Sequence, residues 1–157
     1  MNTSGGDIIF GGKTNVENRH IQPTIIMNPK DDSPIMQEEI FGPILPIKVY
    51  KQMDDVIEYI NDNPKPLAVY FFGKPKHTDS YRLRDETSSG AYVTNECVSQ
   101  AITHYTGFGG VGDSGSGRYG GFEGYKNFCN RKGGMIKAAQ PKAIREMTLP
   151  PFTDGKV

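Results

Sequence analysis

Met36-Gln37-Glu38-Glu39-Ile40-Phe41-Gly42-Pro43-Ile44-Leu45-Pro46 puts an aromatic ring two positions after the second of two adjacent carboxylates, with a Gly-Pro bend immediately behind it. Gly-Pro stiffens and turns the chain, so one carboxylate and the ring can be presented side by side at the mouth of an apolar, strand-like run. That is an arrangement that can build a site. The competing account needs no ligand: Glu38 and Glu39 end a polar turn and Phe41 plugs the core.

A second segment has the composition of a site wall. Phe108-Gly109-Gly110-Val111-Gly112-Asp113-Ser114-Gly115-Ser116-Gly117-Arg118-Tyr119-Gly120-Gly121 contains the literal pattern G-x-G-x-x-G at Gly110 to Gly115. That pattern binds a dinucleotide only in a strand-to-helix turn opening a βαβ unit, and this one is not so placed. Its glycines are read structurally, as a loop that folds close against a cofactor or substrate cleft.

Other reactive side chains are isolated. Cys97 and Cys129 are separated by 31 residues and have no histidine pair near them, which fits neither a disulfide framework nor a zinc site. Cys97 has no neighbouring base to lower its pKa, and Arg131 and Lys132 beside Cys129 tilt it only slightly towards thiolate, so both are expected as part-buried structural thiols. His20, His77 and His104 are too scattered for a ligand set and are expected on the surface or in loops. Met27, Met36 and Met53 read as core filler. No metal site is expected.

The Glu-Glu-Ile-Phe-Gly-Pro motif and the glycine-rich segment, in this order and at this interval, resemble the aldehyde dehydrogenase superfamily. The similarity is to the C-terminal third of such a protein, with the fatty and coniferyl aldehyde dehydrogenase branch nearest in pattern. The resemblance implies that Glu39 and Phe41 contact the nicotinamide ribose of NAD or NADP, and that the glycine-rich segment walls the active site and leads towards a subunit interface. Thr106-Gly107-Phe108 departs from that family's common Leu-Pro-Phe-Gly-Gly form.

In that family a cysteine thiolate attacks the aldehyde, hydride leaves to the nicotinamide, and a glutamate-activated water hydrolyses the thioester. The nucleophile's neighbourhood, the base and the Rossmann segment precede Glu-Glu-Ile-Phe-Gly-Pro by far more than the 37 residues found before Glu38. No catalytic residue is therefore assigned, and the isolated chain is expected to be inactive and not to bind the cofactor. Two functions remain open: part of an NAD(P)-dependent aldehyde dehydrogenase completed by a separate chain, or a non-catalytic structural subunit that keeps the fold. Both imply a protein partner, because this part packs on the preceding two thirds in the full fold and its last strand extends a sheet in another subunit.

The elements that position these motifs follow from periodicity. Short strands are expected at Asp7–Phe10 and Ile21–Met27, with a loop from Thr14 to His20 between them. Pro46–Tyr50 alternates as a strand; Met53, Val56, Ile57 and Ile60 recur at helical spacing, ending at Asn61-Asp62-Asn63-Pro64. The unbroken apolar run Leu67–Phe72 predicts the central strand of a sheet, followed by a surface helix over 76–86 and a strand at Gly90–Asn95. Ordered loop is expected from Ser99 to Gly121, then a helix at Phe122–Phe128, a strand at Gly133–Ala138, and an extended tail from Gln140.

This order predicts an α/β fold with a mostly parallel sheet and flanking helices; the resemblance implies that 1–128 is the C-terminal part of an aldehyde dehydrogenase-like catalytic domain and that 129–157 is an oligomerisation strand and extended tail. The 157 residues suit one core, but 19 glycines, 11 prolines and 36% hydrophobic residues leave it thin. Eighteen basic residues balance eighteen acidic ones, which argues against nucleic acid or an anionic membrane surface as partner. No apolar run approaches a membrane span and the start lacks a secretory pattern, so an intracellular, cytoplasmic protein is expected, with an organelle address left open.

Overall fold

The computed structural model describes residues 5–148 and Pro150. It is a mixed α/β arrangement whose strands are β1 (Asp7–Phe10), β2 (Thr14–Asn15), β3 (His20–Ile21), β4 (Thr24–Met27), β5 (Ile44–Ile47), β6 (Ala68–Phe71) and β7 (Ala91–Thr94). The helices are α1 (Pro34–Gln37), α2 (Met53–Asp62), α3 (Thr78–Glu86), α4 (Ser99–Ile102), α5 (Gly121–Asn127) and α6 (Lys142–Thr148), with a 3-10 turn at Gly112–Ser114. Parallel pairing joins β4 to β5 and β6 to β7, and β1 runs antiparallel on the far edge of β4.

These pairs stay in separate sheets, ordered β1-β4-β5, β2-β3 and β6-β7. The run at Leu67–Phe72 is therefore no central strand here: β6 pairs only with β7 among the described residues, and Leu67 and Phe72 stay exposed. Such a run reports that both faces need cover, and within this chain α2 and α3 cover only one.

Elsewhere proline and local hydrogen bonds shift the boundaries. The expected strand at Ile21–Met27 is interrupted at Gln22-Pro23, because proline lacks the N–H a ladder needs. Gln22 N–H donates instead to Lys13 O at 2.9 Å and closes a small hairpin, so part of the expected loop from Thr14 to His20 is strand. Strand β5 begins and ends earlier than expected because it must match β4, which pairs from Thr24↔Ile44 to Met27↔Ile47 and then turns at Asn28, φ 46°. The Ser99–Gly121 stretch holds α4 and the 3-10 turn as well as loop.

The C-terminal part differs most. Residues 129–141 carry no regular structure, so the expected strand at Gly133–Ala138 is absent; Ile136 is fully bare. Among the described residues no strand pairs with this segment. The expected extended tail contains α6, while 151–157 lies outside the described residues.

The core is small: Ile57 of α2, Val69 of β6 and Leu83 of α3, with Met53, Val56, Ile60, Phe71 and Tyr92 packed around them. Each such apolar side chain contributes about 1.5–3 kcal/mol on burial. The helical spacing read at Met53, Val56, Ile57 and Ile60 is the face that docks here. Asp55 caps α2 by accepting from Gln52 N–H at 3.2 Å, and Asn63 at its end donates through Nδ2 to Tyr59 O at 2.7 Å. Tyr92 Oη donates to Ser80 O at 2.8 Å, pinning α3 to β7, and the Asn95 amide bonds both Gly73 N–H and Gly73 O at 2.8 Å, closing the β6–β7 end.

Candidate functional site

Helix α1 opens with Pro34, suited to a first helical position, and stops after one turn when Glu38 turns extended at φ −124° and ψ 151°. From there the chain runs extended into the Gly42-Pro43 bend, and Ile44 enters β5. Nothing packs over this ridge, so Phe41 is 96% exposed and Glu39 is exposed beside it. Among the described residues Phe41 plugs no core.

Two hollows meet at the ridge. One, about 320 Å³, lies towards Ile21, Pro34 and Ile35. The other, about 560 Å³, is walled by Glu39 and Phe41 on one side, Asp113 and Ser114 on another, and Pro64 to Leu67 on a third. The motif and the glycine-rich segment, far apart in sequence, thus face one cleft.

The glycine-rich segment reaches the cleft because its backbone packs more tightly than side chains permit. A Cβ on Gly110 would stand 2.1 Å from Ser114 O, one on Gly109 would stand 2.2 Å from Gly117 O, and Gly112 adopts φ +61°. Ser114 Oγ accepts from Val111 N–H at 2.9 Å and donates to Val111 O at 3.0 Å, holding the 3-10 turn. Phe108 and Tyr119 exchange backbone hydrogen bonds at 2.8 and 2.9 Å, and their rings meet edge to face at 5.4 Å. Arg118 Nη1 donates to Gly90 O at 2.8 Å and more weakly to Gly107 O and Gly109 O at 3.4 Å, which ties the loop to the start of β7.

Three ionisable groups line the cleft: Glu39, Lys65 and Asp113. None forms an ion pair with another described residue. The Glu39 carboxylate offers acceptors for hydroxyl groups, and the bare Phe41 ring beside it offers a face for a flat group. Lys65 and Asp113 were not singled out from sequence; the one local signal was Pro64-Lys65-Pro66, which fixes the backbone on both sides of a cation.

The remaining candidates lie elsewhere. Cys97 and Cys129 are exposed, where part-buried thiols were expected. Cys97 precedes Val98, whose φ of 69° turns the chain outward into α4, and Cys129 follows the last turn of α5. His20, His77 and His104 are all exposed and apart, with His77 Nδ1 accepting from Asp79 N–H at 3.3 Å at the start of α3. Of the three methionines expected as filler, Met53 packs on the core and Met27 and Met36 are half-buried. Met36 lines a separate cavity of about 600 Å³ beside Lys48 and Tyr59. There Lys48 pairs with Asp31 and sits 4.6 Å from the Tyr59 ring centre. Among the described residues no group of His, Cys, Asp and Glu could hold a metal ion, and no helix is long and apolar enough to cross a membrane.

A sequence profile described as the aldehyde dehydrogenase family matches residues 1–133. The chain belongs to the aldehyde dehydrogenase family. It is 36% identical over 155 residues to a probable coniferyl aldehyde dehydrogenase of Caulobacter vibrioides, covering 99% of this chain and 31% of that one. A substrate-bound Staphylococcus aureus AldH structure aligns at TM-score 0.75 and 35% identity over 99% of this chain and 33% of its own. An aldehyde dehydrogenase of Mycobacterium tuberculosis, solved with NAD+, aligns at TM-score 0.68 and 31% identity over 79% of this chain and 26% of its own. The chain thus spans between about a quarter and a third of the length of these relatives.

Proposed function

We propose that this aldehyde dehydrogenase segment supplies the nicotinamide-ribose wall of an NAD(P)-dependent cleft that oxidises aldehydes to carboxylic acids. It would do so only when joined to a separate chain that carries the Rossmann domain and the nucleophilic cysteine. The observation that supports this most is the shared cleft: Glu39 and Phe41 face Asp113 and Ser114 across about 560 Å³. Glu39 would accept hydrogen bonds from the ribose diol, and Phe41 would cover the flat end of the cofactor. The bound nicotinamide would take the hydride. The glycine-rich turn narrows the cleft from the other side, and Arg118 fixes that turn from behind.

The partner follows from the same surface. Residues 1–128 form the catalytic-domain part in this reading, and 129–157, with Met135 and Ile136 exposed, form the part that associates with a neighbouring subunit in the cytoplasm. The test is to mix the purified chain with a chain carrying the Rossmann domain and cysteine and to follow aldehyde-dependent NAD(P)H formation. Activity should appear only in the mixture, fall on Glu39→Gln, and persist on Cys97→Ser. No NAD(P)H from any mixture, or turnover by the isolated chain that Cys97→Ser abolishes, would overturn the reading.

One observation favours a second reading. Tyr105, Phe128 and Ile136 are almost wholly exposed, which suits a non-catalytic subunit buried in a larger assembly. An assembly that forms and keeps its activity with Glu39→Gln and Phe41→Ala in place would favour it.

A further inference from the structure

The zero net charge of the chain conceals an uneven distribution. Residues 124–145 include Lys126, Arg131, Lys132, Lys137, Lys142 and Arg145 and no acidic residue, a surplus of six positive charges. In residues 31–62 eight acidic residues stand against Lys48 and Lys51, a surplus of six negative ones. The rest of the chain, ten acidic and ten basic residues, cancels.

Each charged stretch carries an apolar feature without cover. In the basic one, Met135 and Ile136 are exposed in the irregular segment 129–141, with Arg131 and Lys132 before them and Lys137 after. None of these three cations forms an ion pair with another described residue. In the acidic one, Met36, Pro46, Val49, Tyr50, Val56 and Tyr59 line the cavity of about 600 Å³ between α1, the end of β5 and α2. Asp55 and Lys51 stand at its rim, and Lys48 is already engaged by Asp31 and the Tyr59 ring. Asp32, Glu58 and Asp62 are exposed on the same stretch and form no ion pair with another described residue.

An apolar pair set between cations thus matches an apolar cavity set among carboxylates, in charge as well as in hydropathy. No residue of 129–141 lines the cavity of its own chain. Extended, thirteen residues span about 45 Å, enough to reach across to a neighbouring molecule.

We propose that the occupant of this cavity is the 129–141 segment of a second copy of the chain. Met135 and Ile136 seat between α1 and α2, and Arg131, Lys132 and Lys137 meet the surrounding carboxylates. Each copy carries both halves of the contact, so it is made twice about a two-fold axis. The inference rests on the reading that 129–157 associates with a neighbouring subunit, and it names that neighbour and the surface that receives it.

The experiment is sedimentation of the full 157-residue chain, which should form a dimer whose dissociation constant rises several-fold as salt is raised. Two variants reverse charges that make no ion pair within the chain: one carries Arg131→Glu, Lys132→Glu and Lys137→Glu, the other Asp32→Lys, Glu58→Lys and Asp62→Lys. Each alone should sediment as a monomer, because like charges then face each other, and an equimolar mixture should recover the dimer, because opposite charges do. Met135→Ser with Ile136→Ser should weaken the dimer at low and at high salt alike. Unmoved amide signals in β6 and β7 certify that each variant is folded. A parent chain that is monomeric at every concentration, a variant that dimerises as readily as the parent, or a mixture that fails to recover the dimer would overturn the proposal. Aldehyde-dependent NAD(P)H formation with the cysteine-bearing chain is a separate readout, so failure of the dimer and failure of the cleft reading are told apart.

Discussion

Arg118 Nη1 donates to the carbonyl oxygen of Gly90 at 2.8 Å and so fastens the glycine-rich segment to the residue just before β7. The same guanidinium nitrogen lies 3.4 Å from Gly107 O and Gly109 O, so one side chain satisfies carbonyls from two segments. Hydrogen bonds to a charged donor contribute about 1.5–3 kcal/mol, and a lysine lacks the planar fork. Arg118→Ala should therefore lower the free energy of unfolding by about that amount, with Arg118→Lys intermediate, as read from urea midpoints. A midpoint unchanged by Arg118→Ala would show that the loop holds its place without this tie.

Glycine substitutions should separate positions that need the bare backbone from those that do not. At Gly110 a Cβ would stand 2.1 Å from Ser114 O, a backbone atom that cannot move without opening the 3-10 turn; at Gly133 nothing lies within 4 Å. Gly110→Ala should displace the turn, costing about 1–3 kcal/mol as an overpacked site does, and perturb the amide signals of Asp113 and Ser114. Gly133→Ala should leave stability within about 0.5 kcal/mol of the parent.

How much of this was legible beforehand varies by element. Helix α2 was, because Met53, Val56, Ile57 and Ile60 mark one face and Asn63-Pro64 stops it. The glycine-rich segment was legible as a close-packed wall, since so many glycines have no other use. Phe41 was undecided: whether a ring plugs a core depends on what packs over it, and local pattern does not carry that. Lys65 was hidden for the same reason, because its neighbours Gly112 and Asp113 arrive through the tertiary fold. The expected strand at Gly133–Ala138 asked for a partner strand, and none of the described strands pairs with it.

Core and surface apolar residues of similar size should respond oppositely. Leu83 is 5% exposed and touches the only buried apolar cluster among the described residues, whereas Ile136 is 102% exposed. Leu83→Ala should cost about 2–5 kcal/mol, a large share of the stability of so thin a core. Ile136→Ala should leave the chain's unfolding unchanged within about 0.5 kcal/mol. It should weaken association with a partner, readable by sedimentation, if the segment around it serves that role.

Acid should weaken the ion pair that Arg82 makes with Glu86 within α3. Arg82 accepts no proton loss in the working range; it donates to Glu86 at 2.8 and 3.0 Å and to Asp54 at 2.5 Å, joining the two helices. The Arg82 hydrogen bond is the main cause holding the Glu86 carboxyl below its ordinary value, and Arg84 does the same for Asp85, Lys126 for Glu123. A carboxyl whose folded-state pKa is depressed adds stability that is complete above the unfolded value and disappears as pH falls through the folded one. Urea midpoints should therefore be flat above the ordinary carboxylate range and decline below it, by a modest amount because these pairs are exposed and screened by salt. Arg82→Gln should remove the Glu86 share of that decline and leave the shares of Asp85 and Glu123, so a variant whose acid profile matches the parent's would show that Glu86 draws no stability from this charge.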